Sequence, residues 1–147
     1  MPKFRKILCP IAFDNSSKVA LEIACELAEA RGATVHLLHV AKVPTPDMDV
    51  PLPFNADPRW ERSARIKLER IARDKLEGKV RYQLHVVSGT PDDDVVRMAN
   101  EIGADLIVMA THGRKGLSHF ILGSVAERVM READCPVLTM RTKVKSA

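Results

Sequence analysis

At 147 residues, 46% hydrophobic and 29% charged, the chain is sized for one domain with a core of its own. Nothing in it approaches the roughly 18 consecutive apolar residues of a membrane span, and Met1–Pro10 reads as a first strand rather than a secretory leader, having no small-residue cleavage pattern. The net charge of +4, from 23 basic and 19 acidic residues, is too mild to argue for nucleic acid, and no stacking aromatics flank the basic clusters at Lys3, Arg5, Lys6 and at Arg141, Lys143, Lys145.

In chain order, Phe4–Ala12 reads as a strand with the apolar run Ile7-Leu8-Cys9-Pro10-Ile11. Asn15–Arg31 reads as a helix, because Val19, Ile23 and Leu27 recur every four residues beside a stripe of Ala20, Ala24 and Ala28. Gly32 supplies its C-terminal cap. Val35–Val40 is a second strand. Residues 41–57 form a long irregular stretch holding Pro44, Pro46, Pro51 and Pro53, of a length that suits a lid, a binding segment or disorder. A second helix covers Pro58–Glu77 and closes at Gly78, and a third strand covers Val80–Val87. The third helix opens at Thr90 as N-cap, with Pro91 at its first position. Asp92, Asp93 and Asp94 suit the positive end of its dipole, which accounts for their clustering without a metal. Gly103 ends it; Leu106–Ala110 is a fourth strand, Val125–Arg131 a fourth helix and Val137–Met140 a fifth strand.

This alternation implies an α/β fold, one doubly wound parallel sheet with helices on both faces. The third strand alternates apolar Val80, Tyr82, Leu84 and Val86 with Arg81, Gln83 and His85, the pattern of an edge. The first and fourth strands are continuous apolar runs, as central parallel strands should be. A sheet order of 3-2-1-4-5 satisfies both; the order 2-1-3-4-5 would bury the third strand.

Ligands of such sheets bind beyond the carboxyl ends of the strands, where the winding direction switches. The first and fourth strands bring two loops there, one holding Asp14 and one running from Ala110 to Ser124 with Gly113, Gly116 and Gly123. Glycines let backbone N–H groups approach an anion, and a helix N-terminus favours one. Ser124 and Glu127 also fit an S-x-x-E capping box, so an ordinary turn and a capped helix remain open beside phosphate binding. Neither GxxxxGK[ST] nor GxGxxG occurs.

The run from His112 to Glu127 and the element order resemble the universal stress protein family along essentially the whole chain. The family pattern G-x2-G-x9-G-[ST] lies over Ala110, Gly113, Gly123 and Ser124, and the family's strand-1 Asp over Asp14; alanine replaces the first glycine. The resemblance implies a homodimer, often joined through the fifth strand (Val137–Met140), and in ATP-binding members a nucleotide held with Mg²⁺. Asp14 would then contact the nucleoside, with Pro10 and Ile11 beside it, and Val40 would flank the adenine. Met109, Ala110, Gly113, Arg114, Gly123, Ser124 and Val125 would hold ribose and phosphates. The implied function is a cytoplasmic, nucleotide-dependent sensor or adaptor in stress response, with at most slow hydrolysis and no membrane or nucleic-acid partner. A dimeric interaction module of the same fold that holds no nucleotide is the alternative.

Other readings fare worse. Asp14 could mark a phospho-acceptor domain, but the third strand ends Val86-Val87-Ser88-Gly89 without the acceptor Asp. Asp14 could also simply cap the helix beginning at Asn15. Arg114 and Lys115 suit either phosphate pairing or a solvated loop tip. His112 and His119 lack a third metal ligand, and Leu122-Gly123-Ser124-Val125-Ala126 is not a GxSxG elbow. His36, His39 and His85 read as half-buried strand residues, and Cys9 and Cys25 as small core hydrophobes. The odd cysteine count suits reduced thiols, with Cys135 the one open to exposure.

Overall fold

A computed structural model describes residues 3–42, 58–111 and 123–141. In chain order it contains β1 (Lys6–Pro10), α1 (Asn15–Arg31), β2 (Thr34–Lys42), α2 (Pro58–Lys75), β3 (Arg81–Gly89), α3 (Pro91–Ile102), β4 (Leu106–Ala110), α4 (Ser124–Glu132) and β5 (Val137–Met140). All five strands are parallel, in the order β3-β2-β1-β4-β5. Most of the irregular stretch expected over 41–57 lies outside the described residues. Among the described residues no helix is long and apolar enough to cross a membrane.

Apart from Lys6, strands β1 and β4 are apolar because both faces are covered. On one face Ile7, Cys9, Val35 and Leu37 pack with Leu21, Ala24 and Ala28 of α1 and Leu68 and Ala72 of α2. On the other, Leu8, Leu38, Ile107 and Met109 pack with Val95 and Met98 of α3 and Val129 of α4. The winding therefore reverses between β1 and β4. Edge strand β3 keeps the alternating exposure that its sequence foretold. Cys9 is fully buried, which pushes its thiol up to about 12 and leaves it a packing group.

Two local expectations need correction. Thr90 occupies the N-cap of α3 but its hydroxyl makes no capping bond. Instead the Asp94 carboxylate reaches back to accept the Thr90 N–H at 2.8 Å, while Arg97 pairs with its other oxygen. The second helix stops at Lys75 rather than Glu77. Beyond it the Glu77 N–H folds back to the Ala72 carbonyl at 3.1 Å, and Gly78 takes the left-handed conformation.

His36 on β2 is buried at 5% exposure and meets half-buried His85 on β3, Nδ1 to Nε2 at 3.0 Å, with the rings stacked 5.2 Å apart. One imidazole donates and the other accepts, so the bond needs at least one neutral ring. Burial, then His85 and Lys6, holds His36 below the ordinary imidazole range. Burial and then Arg65 do the same to His85, against a smaller opposing pull from Glu101. Both folded pKa values are depressed, so the stability is fully present above the unfolded value of about 6.5. It is lost as pH falls from there through the folded values, where the unfolded chain takes up protons the native pair refuses. Urea denaturation between pH 7 and pH 5 should show a smaller loss of midpoint for the double variant His36→Gln, His85→Gln than for the wild type. Equal losses would remove the pair from the acid response.

Candidate functional site

The ladder between β1 and β4 stops short of their carboxyl ends for a reason written in one residue. Along β1 the carbonyl of Arg5 accepts from Thr34 and the Ile11 N–H donates to Leu38, both in β2's direction, while the Lys6 carbonyl accepts from Asp105 on the β4 side. Position 10 shares the parity of Lys6, so its N–H would point to β4; proline has none. The β1–β4 ladder accordingly pairs only Ile7 with Leu106 and Leu8 with Ile107. Pro10, Met109 and Ala110 lie beyond it, at the switch point where such sheets take ligands.

The loop after β1 is tightly held. The Ala12 N–H donates to Ser17 Oγ at 2.9 Å, the Ser17 N–H to Asp14 Oδ1 at 2.8 Å, and His39 Nδ1 to the Ile11 carbonyl at 2.8 Å. Phe13 takes φ 58°, a backbone well that L residues enter only when their surroundings over-determine it. Its ring stacks on His39 at 4.2 Å between centroids, with Lys67 Nζ 5.6 Å from the ring centre. Asp14 is thus the N-cap of α1, and the cap uses one of its two oxygens. Ile11 is buried, and half-buried Val40 at the end of β2 packs against the α3–α4 side of the sheet.

Met109 is buried and Ala110 pairs with Met140 in ordinary strand conformation. Phe13 is the one non-glycine residue with positive φ among the described residues, so Ala110 needs none of the freedom that glycine would add. The next residue, Thr111, carries weight that the sequence did not assign to it. It is buried at 8% exposure; its N–H and its hydroxyl both donate to the Met140 carbonyl, at 3.0 and 3.1 Å. Its own carbonyl accepts the Gly123 N–H at 2.8 Å. Residues 111 and 123 are thereby clamped together, and a Cβ on Gly123 would sit 2.3 Å from the Thr111 oxygen. Gly123 itself has φ −55°, which any residue adopts, so glycine serves close approach here, not an unusual backbone.

The capping box expected of Ser124 and Glu127 does not form. Gly123 is the N-cap, Ser124 the first helical residue, and among the described residues no side chain caps the helix. The Glu127 N–H closes the first helical bond, to the Gly123 carbonyl at 2.9 Å. The clamp to Thr111 starts the helix one residue early, and among the described residues no side chain accepts from its first-turn N–H groups, an arrangement that suits an anion. Downstream, Arg128 ties α4 to Asp92, at 2.9 Å, and to Asp93 on α3. Burial pushes the Asp92 carboxyl up, but the Arg128 hydrogen bond and charge and the Asp93 N–H outweigh it and hold it below the ordinary carboxylate range. The acids at the start of α3 therefore serve a cap and an interhelical tie, and among the described residues no three His, Cys, Asp or Glu gather to hold a metal. Gly113 and Arg114, with His112, Lys115 and His119, lie outside the described residues.

The structure thus brings Pro10, Ile11, Asp14, Met109, Ala110, Gly123, Ser124 and Val125 to the carboxyl ends of β1 and β4, with Val40 at the end of neighbouring β2. Thr111 and Phe13 were missed; the only available signal was a hydroxyl directly after a central strand.

Comparison with known proteins agrees with this architecture. The sequence is 32% identical over 149 residues to universal stress protein MJ0531 of Methanocaldococcus jannaschii, covering 97% of this chain and 85% of that one. The solved structure of hypothetical protein MJ0577 superposes with a TM-score of 0.77 at 25% identity, covering 98% of this chain and 99% of that one. A universal stress protein from Archaeoglobus fulgidus, solved in complex with dAMP, shares the fold with a TM-score of 0.68 at 21% identity, covering 95% and 98% of the two chains. The model of the Universal stress protein family matches residues 3–141, and the chain belongs to that family.

Proposed function

We propose that the protein binds an adenine nucleotide, ATP with Mg²⁺, at the switch point between β1 and β4, and acts as a homodimeric sensor or adaptor in stress response. The observation that carries this function is the start of α4: a helix N-terminus that no side chain caps among the described residues, held against Thr111 by a glycine whose Cβ would have no room. First-turn N–H groups of Ser124 and Val125 would take phosphate oxygens. Asp14 would meet the nucleoside with the oxygen its cap leaves over, and Ile11, Val40 and Met109 would supply apolar walls. Gly113 and Arg114 would complete the phosphate cradle, and Mg²⁺ arriving with the nucleotide would offset the phosphate charge. The dAMP complex of the family member from Archaeoglobus fulgidus supports an adenine nucleotide as the class of ligand. At most slow hydrolysis goes with this reading. Edge strand β5, with Leu138 41% exposed and Met130 of α4 46% exposed, offers the surface for pairing with a second copy.

Calorimetric titration of nucleotide-free protein with ATP and Mg²⁺ tests the binding. A saturable heat with ATP and none with GTP is expected. No heat with either, together with no nucleotide released when freshly purified protein is denatured, would instead favour a dimeric module that holds none.

A further inference from the structure

We propose that the groove at the amino ends of β1, β2 and β3, the end of the sheet away from the glycine loop, is a second ligand site that takes a small phosphate-bearing anion. Its floor is built by register: Lys6, Thr34 and Arg81 are direct partners across the three strands, and His36 and Gln83 are partners one row further along the same face. Arg5 and the end of α3, Glu101 and Ile102, complete a groove of about 450 Å³, within the range of small-molecule sites.

Three cations, Arg5, Lys6 and Arg81, line the groove with one carboxylate, Glu101, and a second, Asp105, lies beside it. The Arg5 and Arg81 guanidiniums have no acidic partner among the described residues. Lys6 Nζ gives one hydrogen bond to the Ile102 carbonyl at 2.9 Å, which covers the negative end of α3, and keeps two further N–H groups. Glu101 lies 3.9 Å from Arg97 on its own helix, and the nearby Asp105 carboxylate is engaged by the Arg5 and Lys6 backbone N–H groups at 2.7 and 2.9 Å. The remaining polar lining, Thr34 hydroxyl, Gln83 amide and His36 imidazole, can all donate. Guanidinium forks beside an ammonium match the oxygens of a phosphate monoester or diphosphate better than a single carboxylate. Burial first, then His85 and then Lys6, disfavour protonation of His36. The groups facing the imidazole pair are Lys6 of β1, Arg65 of α2 and Glu101 of α3, with Arg5 and Arg81 along the groove. An anion seated among them would make protonation of His36 easier.

Titration with sodium pyrophosphate at constant ionic strength and pH 6.5, followed by the imidazole NMR signals of His36 and His85, tests the site in the intact protein. The expected result is a saturable shift of both signals toward the protonated position. The affinity should fall by about tenfold or more in the double variant Arg5→Gln, Arg81→Gln, whose replaced side chains are exposed, and stay unchanged in Gly123→Ala, which addresses the other end of the sheet. A linear, unsaturating drift, a saturable shift that survives the arginine replacements, or one that disappears with Gly123→Ala would each overturn the proposal. ATP binding at the glycine loop can succeed or fail without altering this outcome.

Discussion

Replacing Gly123 with alanine is expected to abolish measurable ATP binding, with an affinity loss of about a hundredfold or more, while the protein stays folded at room temperature. The added Cβ would stand 2.3 Å from the Thr111 carbonyl oxygen, a backbone atom that cannot swing aside as a side chain could. Either residue 123 or residue 111 must move, and the 2.8 Å bond between them breaks. Thr111 is held at the other side by two bonds to Met140, so the displacement falls mainly on the start of α4. Crowding of this kind costs about 1–3 kcal/mol of stability, and the lost hydrogen bond about 1 kcal/mol more. The effect on binding is larger because the first-turn N–H groups move together, and each hydrogen bond to a charged phosphate is worth about 1.5–3 kcal/mol. Because φ at Gly123 is −55°, backbone preference plays no part in the loss. Calorimetry with ATP, paired with a circular-dichroism melt, separates the two effects. Wild-type affinity in a folded Gly123→Ala protein would mean that the α4 terminus does not hold phosphate.

Asp14 separates capping from ligand contact because asparagine and alanine do different things to it. Its carboxylate caps α1 through the Ser17 N–H at 2.8 Å. Asparagine caps about as well as aspartate, whereas alanine costs about 0.5–2 kcal/mol, or a few degrees of melting midpoint at this chain length. Asp14→Asn should therefore melt close to the wild type and Asp14→Ala lower. Both should bind ATP about tenfold or more weakly, since each removes the charge that strengthens a hydrogen bond to the nucleoside. Wild-type affinity in Asp14→Asn would reduce Asp14 to a cap.

Much of the fold could be read from the sequence because burial on both faces of central strands and on one side of an edge strand leaves patterns that chain order preserves. The unbroken Ile7–Ile11 and Leu106–Ala110 runs, against the alternation of Arg81–Val87, were enough to order the sheet. The N-cap at Asp14 and the left-handed glycines after α1 and α3 were equally visible, being local. Most of what escaped depended on partners far along the chain. Ser124 and Glu127 have the spacing of a capping box, but the bond from Gly123 to Thr111 shifts the helix start and overrides it. Asp94, not Thr90, supplies the capping side chain of α3, a choice between two competent residues that spacing alone does not make. The His36–His85 contact and the row Lys6–Thr34–Arg81 arise from strand register.

A thermal-unfolding series with ATP and Mg²⁺, run on protein checked for carried-over nucleotide, tests the central claim most directly. A ligand at about 100 times its dissociation constant stabilises by about 2.7 kcal/mol, a rise of several degrees for a chain near this length. The account predicts a midpoint that climbs and saturates with ATP and does not move with GTP; an unmoved midpoint at millimolar ATP, in protein that releases no nucleotide on denaturation, would contradict it.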